Sequence, residues 1–281
     1  MTKSTAQNAS VGAEDLVVVE RRDDVAWLRI NRGKKLNALS TTLMKALSEE
    51  LTKVDNDDSV KVVVLTGAEN AFSVGYDIVE EVDLGVATAE QWHAGLTNNV
   101  GLTMQVWGLS KPVIGAVSGW CLAGGCELAM ACDLLVATEN AQFGEPEIRF
   151  GSGPVTLLMP FLLGQKKTNE LLYTGDVVDA ATAESLGLVN HVVPDADLEA
   201  TVEALAKKIA LTPLPILTYT KRSLMRAYEA KGLRQAVESN LDIAAVLNSA
   251  YSKEREEFTE LVATKGLGAA LAWRDERYGQ L

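Results

Sequence analysis

An α/β fold with parallel strand pairs, followed by a helical C-terminal region, is what this 281-residue sequence predicts. Three observations lead there. Short β-branched runs alternate with helical patterns through the first two thirds of the chain, and the order strand, helix, strand requires crossover connections and so parallel neighbours. Strand, turn, helix and strand recur between Lys111 and Gly153. From Asp197 onward the strand signal stops and only amphipathic helical patterns remain. With 47% of its residues hydrophobic, the chain can bury the core of one large domain, or of one domain with a smaller appendage.

Leu16 to Glu20 and Val25 to Ile30, separated by charged residues, read as a hairpin, and Asn31 to Asn37 as a loop. Ser40 can cap a helix in which Leu43, Leu47, Leu51 and Val54 recur at helical spacing. Val62 to Leu65 is a buried strand, Ala71 to Val74 a short run, and SVGYDI a loop in which Gly75 permits close backbone approach and Asp77 can cap the next segment. Trp92, Leu96, Val100, Met104 and Trp107 mark one face of a long helix. Val113 to Val117 reads as a buried strand, Gly124-Gly125 as a tight turn and Cys126 to Cys132 as a helix start. Helices are expected over Pro154 to Leu163, Lys166 to Tyr173 and Ala180 to Leu186, with a last strand at Val189 to Val193. The C-terminal helices break near Pro213-Pro215, Gly232 and Gly266. The units alternate without a residue-level repeat, so no solenoid is read.

A net charge of -12 disfavours phosphate backbones and anionic lipid surfaces, and no basic patch stands out, so neither nucleic acid nor membrane is expected as a partner. An anionic cofactor remains possible through local cations and helix N-termini. The polar first ten residues lack the apolar stretch of a secretory signal, and the uncharged run from Pro112 to Cys126 is shorter than the ~20 residues of a membrane helix. A cytoplasmic location is the expectation. Cys121, Cys126 and Cys132 are an odd number without the histidines of a zinc site, and are read as reduced and buried.

Chemistry concentrates in the same central stretch. Glu127 is the sole charged residue between Pro112 and Cys132, in the first turn of a helix, where desolvation raises its pKa against the helix dipole. Twenty residues on, Glu147 comes after a proline in FGEPEIRFG. Two acids near one turn point to acid/base chemistry, although Glu127 is also a good helix-start residue and Glu147 can pair with Arg149. Gly124-Gly125 leaves backbone N–H groups at a helix start, either as an oxyanion site or merely as a turn. No G-x-G-x-x-G, P-loop or G-x-S-x-G motif occurs, and His93 and His191 stand alone.

NALS (Asn37 to Ser40), FSVGYDI (Phe72 to Ile78), KPVIGAVSGWCLAGGCELAMACD (Lys111 to Asp133), AQFGEPEIRFG (Ala141 to Gly151) and TGDVVDAATAESLGLVNHVV (Thr174 to Val193) together resemble the enoyl-CoA hydratase/isomerase, or crotonase, superfamily. The resemblance implies a crotonase-like spiral of ββα units over residues 15–195, a helical C-terminal oligomerisation region over 196–281, a flexible leader over 1–14, and a homotrimer or homohexamer. It implies an acyl-CoA thioester as substrate, coenzyme A being part of that substrate, with no separate cofactor and no metal. By motif position the thioester oxygen meets the amides of Tyr76 and Gly124, while Glu127 activates water and Glu147 delivers a proton to the α-carbon. Possession of both acids favours an enoyl-CoA hydratase of fatty acid metabolism over an isomerase, a thioesterase or a noncatalytic CoA-binding assembly protein. Where many hydratases carry a Gly-rich turn, this chain reads GSGPVTLLMPFLLG, so Val155, Leu157 and Leu158 are expected to reshape the acyl pocket, as are Tyr76 and Trp120. Lys34, Lys35 and the arginines of WRDERY are candidates for the CoA phosphates by location alone.

Overall fold

The computed structural model describes residues 15–279, so the leader expected over residues 1–14 lies outside the described residues. β1 (Val17–Arg22) and β2 (Val25–Ile30) form the expected antiparallel hairpin. In α1 (Thr41–Asp55) the Ser40 hydroxyl accepts from the Leu43 N–H, and the four apolar residues of the stripe are buried. β3 (Val62–Gly67) and β4 (Ala71–Ser73) precede α2 (Ile78–Leu84), whose first amides are held by Asp77. A Thr88–Gln91 capping box opens α3 (Ala89–Gly108).

β5 (Val113–Val117), β6 (Trp120–Leu122) and α4 (Gly124–Met130) form the central turn. β7 (Leu134–Thr138), β8 (Gln142–Gly144) and a 3-10 turn at Pro146–Phe150 repeat the course, leading to α5 (Met159–Leu162) and α6 (Gln165–Thr174). β9 (Val178–Asp179), α7 (Ala180–Ser185) and β10 (His191–Val193) close the sheets. Then come α8 (Leu198–Ala210), α9 (Leu214–Ala230), α10 (Leu233–Ser249), α11 (Lys253–Lys265) and α12 (Leu267–Tyr278).

The strands form two sheets, β1-β2-β3-β5-β7-β10 and β4-β6-β8-β9, and from β3 to β8 they alternate between them, so successive turns of the chain lay one strand on each. This is the ββα spiral. Neighbours are parallel except β1 with β2 and β8 with β9. The central strands β2, β3, β5 and β7 of the six-stranded sheet are buried on both faces, which is why β3, β5 and β7 read as nearly continuous apolar runs, whereas the edge strand β1 is largely exposed. Ala26, Leu28, Val63 and Leu65 face the main core with α1 and α3, while Val25, Trp27, Val62 and Val64 face α8 through Val202 and Ala206.

Two expectations are corrected. Of the helix predicted over Pro154 to Leu163, only Met159–Leu162 is helical, because the chain bends at Val155 and Thr156 and both amides are turned onto Glu127 instead of into a helix. The helix start expected at Cys126 lies two residues earlier, at Gly124. The structure adds a break between α10 and α11 that contains neither Gly nor Pro; Ser252 caps the new helix by accepting from the Arg255 N–H.

Candidate active site

The site lies where the loop after β4 meets the turn before α4. Gly75 has a φ of 93°, and a Cβ there would sit 3.0 Å from the Gly124 nitrogen, so glycine lets the two backbone segments touch. At Gly124 a Cβ would fall 2.5 Å from Tyr76 Cε2, so the tyrosine ring lies directly on the bare Cα. Between them Ala123 holds φ 54° and ψ -134°, a strained conformation for a residue with a side chain. The result is two adjacent main-chain donors, Tyr76 N–H and Gly124 N–H, with no protein acceptor among the described residues.

Glu127 is completely buried one turn into α4. Its Oε1 accepts from the Val155 and Thr156 amides, each at 2.6 Å, and its Oε2 accepts from the Tyr76 hydroxyl at 3.3 Å. Burial pushes its pKa up to about 7, against the pull of these donors. Glu147, in the 3-10 turn after β8, is 7% exposed and neither of its oxygens has a hydrogen-bond partner. Burial first, and the Glu127 charge second, push its carboxyl well above the ordinary range. Arg149 does not pair with Glu147; it is drawn to Asp176 and the Thr174 carbonyl.

The structure adds a third acid to the two expected. Glu145 is 3% exposed, its Oε2 lacks a partner, and burial with the charges of Glu127 and Glu147 raises its pKa strongly. The signal is present in GEPE, where Pro146 separates two glutamates, but an acid beside a turn proline reads as surface until the fold sets it against Glu127 and Cys126 of α4. Phe150 stacks on Phe258 of α11 at 4.7 Å, and Arg274 of α12 lies close enough to oppose the rise at Glu147.

These raised values carry a stability consequence. A carboxyl whose folded pKa exceeds its unfolded value is protonated longer in the folded state, so stability falls as pH rises from the unfolded value through the folded one. For Glu127, moving from 4.5 to about 7, the loss above pH 7 is roughly 3 kcal/mol. Glu127→Gln is therefore expected to raise the melting temperature at pH 8 and to leave it nearly unchanged at pH 4; an unchanged value at both would contradict the burial argument.

A cavity of about 610 Å³ opens beside Tyr76 between α1, α2 and α3, with Leu39, Met44, Trp92, Leu96 and Leu102 among its walls. Val155 is buried and contributes its amide to Glu127, while Trp120 on β6 is 42% exposed and does not line this cavity. Lys35 borders a second recess with Arg32, which is paired with Asp77 at 2.7 Å. Of the WRDERY arginines, Arg274 pairs with Asp275 and Arg277 with Glu254. Among the described residues no cluster of metal-ligating side chains occurs, and no helix is long and apolar enough to cross a membrane.

A family profile described as enoyl-CoA hydratase/isomerase matches residues 20–263. The chain belongs to the enoyl-CoA hydratase/isomerase family. It is 40% identical over 227 residues to a probable enoyl-CoA hydratase of Rhizobium meliloti, covering 78% of this chain and 86% of that one. It is 35% identical over 217 residues to a short-chain-enoyl-CoA hydratase of Clostridium acetobutylicum, covering 76% and 82%. The crystal structure of an enoyl-CoA hydratase/isomerase from Xanthobacter autotrophicus Py2 superposes with a TM-score of 0.91 at 38% identity, covering 94% of this chain and 99% of that one. The hydratase-like branch of the family and its ββα spiral thus agree with the resemblance read from the central motifs.

Proposed function

We propose that this protein is an enoyl-CoA hydratase that reversibly adds water to a trans-2-enoyl-CoA to give a 3-hydroxyacyl-CoA. One observation supports the assignment of roles above the others: the two buried acids are treated unequally by their surroundings. Glu127 accepts three hydrogen bonds and Glu147 none. Donors stabilise the ionised form, so Glu127 is the acid that loses its proton first and serves as base, while Glu147 keeps its proton and serves as acid.

In this reading Glu127 takes a proton from water as the hydroxide oxygen bonds to C3. The C2–C3 π pair moves toward the thioester, whose oxygen becomes an enolate held by the N–H groups of Tyr76 and Gly124. Glu147 then delivers its proton to C2. Proton, hydroxyl and electron pair balance without a redox partner, so neither cofactor nor metal belongs to the proposal. The cavity beside Tyr76 takes part of the acyl-CoA, with Lys35 near its phosphates.

The base works ionised and the acid works protonated. Accordingly kcat/KM is expected to fall as pH drops through about 7, the value to which Glu127 is raised, and again as pH climbs far enough to ionise Glu147, whose pKa burial raises well above the ordinary range. The limbs belong to the interacting pair rather than to either residue alone. The deciding assay measures hydration of short, long and aromatic enoyl-CoAs with thioester hydrolysis monitored in parallel. Hydrolysis outrunning hydration on every substrate would refute the hydratase reading.

Assembly is part of the same proposal. Ile216, Tyr219 and Leu224 on α9, with Ile243 and Val246 on α10, are all more than half exposed. Such an apolar surface on two adjacent helices suits a homotrimer or homohexamer. Sedimentation should show three or six chains, and a monomer at micromolar concentration would contradict it. Three buried, unpaired cysteines suit a reducing compartment, and a cytoplasmic location completes the proposal.

A further inference from the structure

A carboxylate oxygen offers about two in-plane lone-pair sites. On Glu127 both sites of Oε1 are occupied by the Val155 and Thr156 amides, and one site of Oε2 is occupied by the Tyr76 hydroxyl. A single site therefore remains on a group that has no solvent exposure. The tyrosine is well held for this task. Its ring rests on the bare Cα of Gly124, Asp77 next to it is tied to Arg32 and to the start of α2, and the flanking Gly75 carbonyl and Asp77 N–H are hydrogen-bonded to the Leu39 backbone.

We propose that the Tyr76 side chain is a positioning residue for Glu127: its phenol occupies one lone pair of Oε2, so that the remaining lone pair is the only one from which Glu127 can take the proton of water. The inference rests on the hydratase reading and deepens it. One residue then serves the two centres by different atoms, its main-chain N–H at the thioester oxygen and its hydroxyl at the base. Burial and the nearby Glu127 charge push the phenol pKa well up, so the hydroxyl remains a donor throughout the working range. Deprotonation of Glu127 strengthens the phenol hydrogen bond, because the acceptor becomes charged.

Other groups face the same carboxyl. Glu145 and Glu147 approach from the 3-10 turn, with Glu81 of α2 and Arg274 of α12 acting on Glu147 behind them, and Arg255 of α11 is paired with Glu81 at 3.5 Å. The Cys126 thiol, next to Cys121, acts on Glu145 from α4 and is held neutral by its hydrogen bond to Cys121 and by burial. The buried Thr156 hydroxyl also faces Glu127 and helps to lower its pKa. The Tyr76 hydroxyl is the group seated on Glu127 Oε2, at 3.3 Å.

Tyr76→Phe keeps the ring that packs on Gly124 and removes only the hydroxyl, so the experiment is the pH profile of hydration by Tyr76→Phe beside wild type and Glu127→Gln. Losing a donor to the charged form raises the pKa of the base. The acid limb of kcat/KM is expected to move up by roughly half a unit to one unit, making the variant about 3- to 7-fold more impaired at pH 6 than at pH 8.5. An infrared titration of the protonated carboxyl band, assigned by its loss in Glu127→Gln, reads the same shift without turnover. An unmoved limb and an unmoved band in Tyr76→Phe, with Glu127→Gln inactive, would overturn the role of the phenol and leave the hydratase reading standing. A uniform loss at every pH with an unmoved band would likewise reduce Tyr76 to packing. Near wild-type hydration by Glu127→Gln would instead remove the hydratase reading on which the inference rests.

Discussion

Glu147→Gln is expected to lower kcat for hydration by about 10²–10⁴-fold, the range for removing a positioned proton donor or acceptor, while binding of the acyl-CoA largely survives. The glutamine preserves the shape of a side chain that has no hydrogen-bond partner to lose, so folding should be undisturbed. Glu127→Gln should cost at least ~10²-fold for the complementary reason, since an amide cannot take the proton of water. The two variants should differ in their pH profiles. Removing Glu147 deletes the limb at high pH, and removing Glu127 deletes the limb near pH 7, to the extent that residual rates permit them to be read. The double variant should fall well short of the product of the single losses, because base and acid serve one addition. Hydration within a few-fold of wild type in both single variants would remove acid/base catalysis from this site.

Gly124→Pro is expected to cost about 10²–10³ in kcat, the usual effect of losing one oxyanion donor. Proline deletes the Gly124 N–H outright and is tolerated in the first turn of a helix, where α4 begins. It also introduces a Cβ where the Tyr76 ring stands 2.5 Å away, so part of the loss would come from displacing the tyrosine. Gly124→Ala separates the two effects, since alanine brings the same Cβ and retains the N–H. The excess loss in the proline variant over the alanine variant is then the contribution of the donor, once circular dichroism and assembly state show both to be folded. Equal losses in the two would assign the effect to crowding. A crystal structure with a bound acyl-CoA analogue offers an independent check, with the thioester oxygen expected within hydrogen-bond distance of both amides.

Much of the architecture is legible in the sequence because it is locally encoded. The stripe at Leu43, Leu47, Leu51 and Val54 places one face of α1 in the core, and Ser40 and Asp77 cap α1 and α2 within three residues of themselves. Continuous apolar runs such as Val62 to Leu65 reflect a sheet covered on both faces. The segment from Pro154 to Leu158 reads as helix because its apolar composition suits one, whereas its amides serve a carboxylate 28 and 29 residues earlier. Glu145 is hidden from a local reading for a related reason, as it is buried and faces Glu127 and Cys126 of α4, an element earlier in the chain.

By itself the sequence determined the fold class, through the alternation of strand and helix patterns, and the chemical types at the site, through a lone acid after two glycines and a second acid after a proline. Only the tertiary structure decided how those acids differ. Hydrogen-bond donors reach Glu127 from 51 residues before it and from 28 and 29 residues after it, and none reaches Glu147. A pKa in a buried site depends on how many donors and charges surround the group and on how much water is excluded. Those are properties of the assembled packing, which no single stretch of the chain contains.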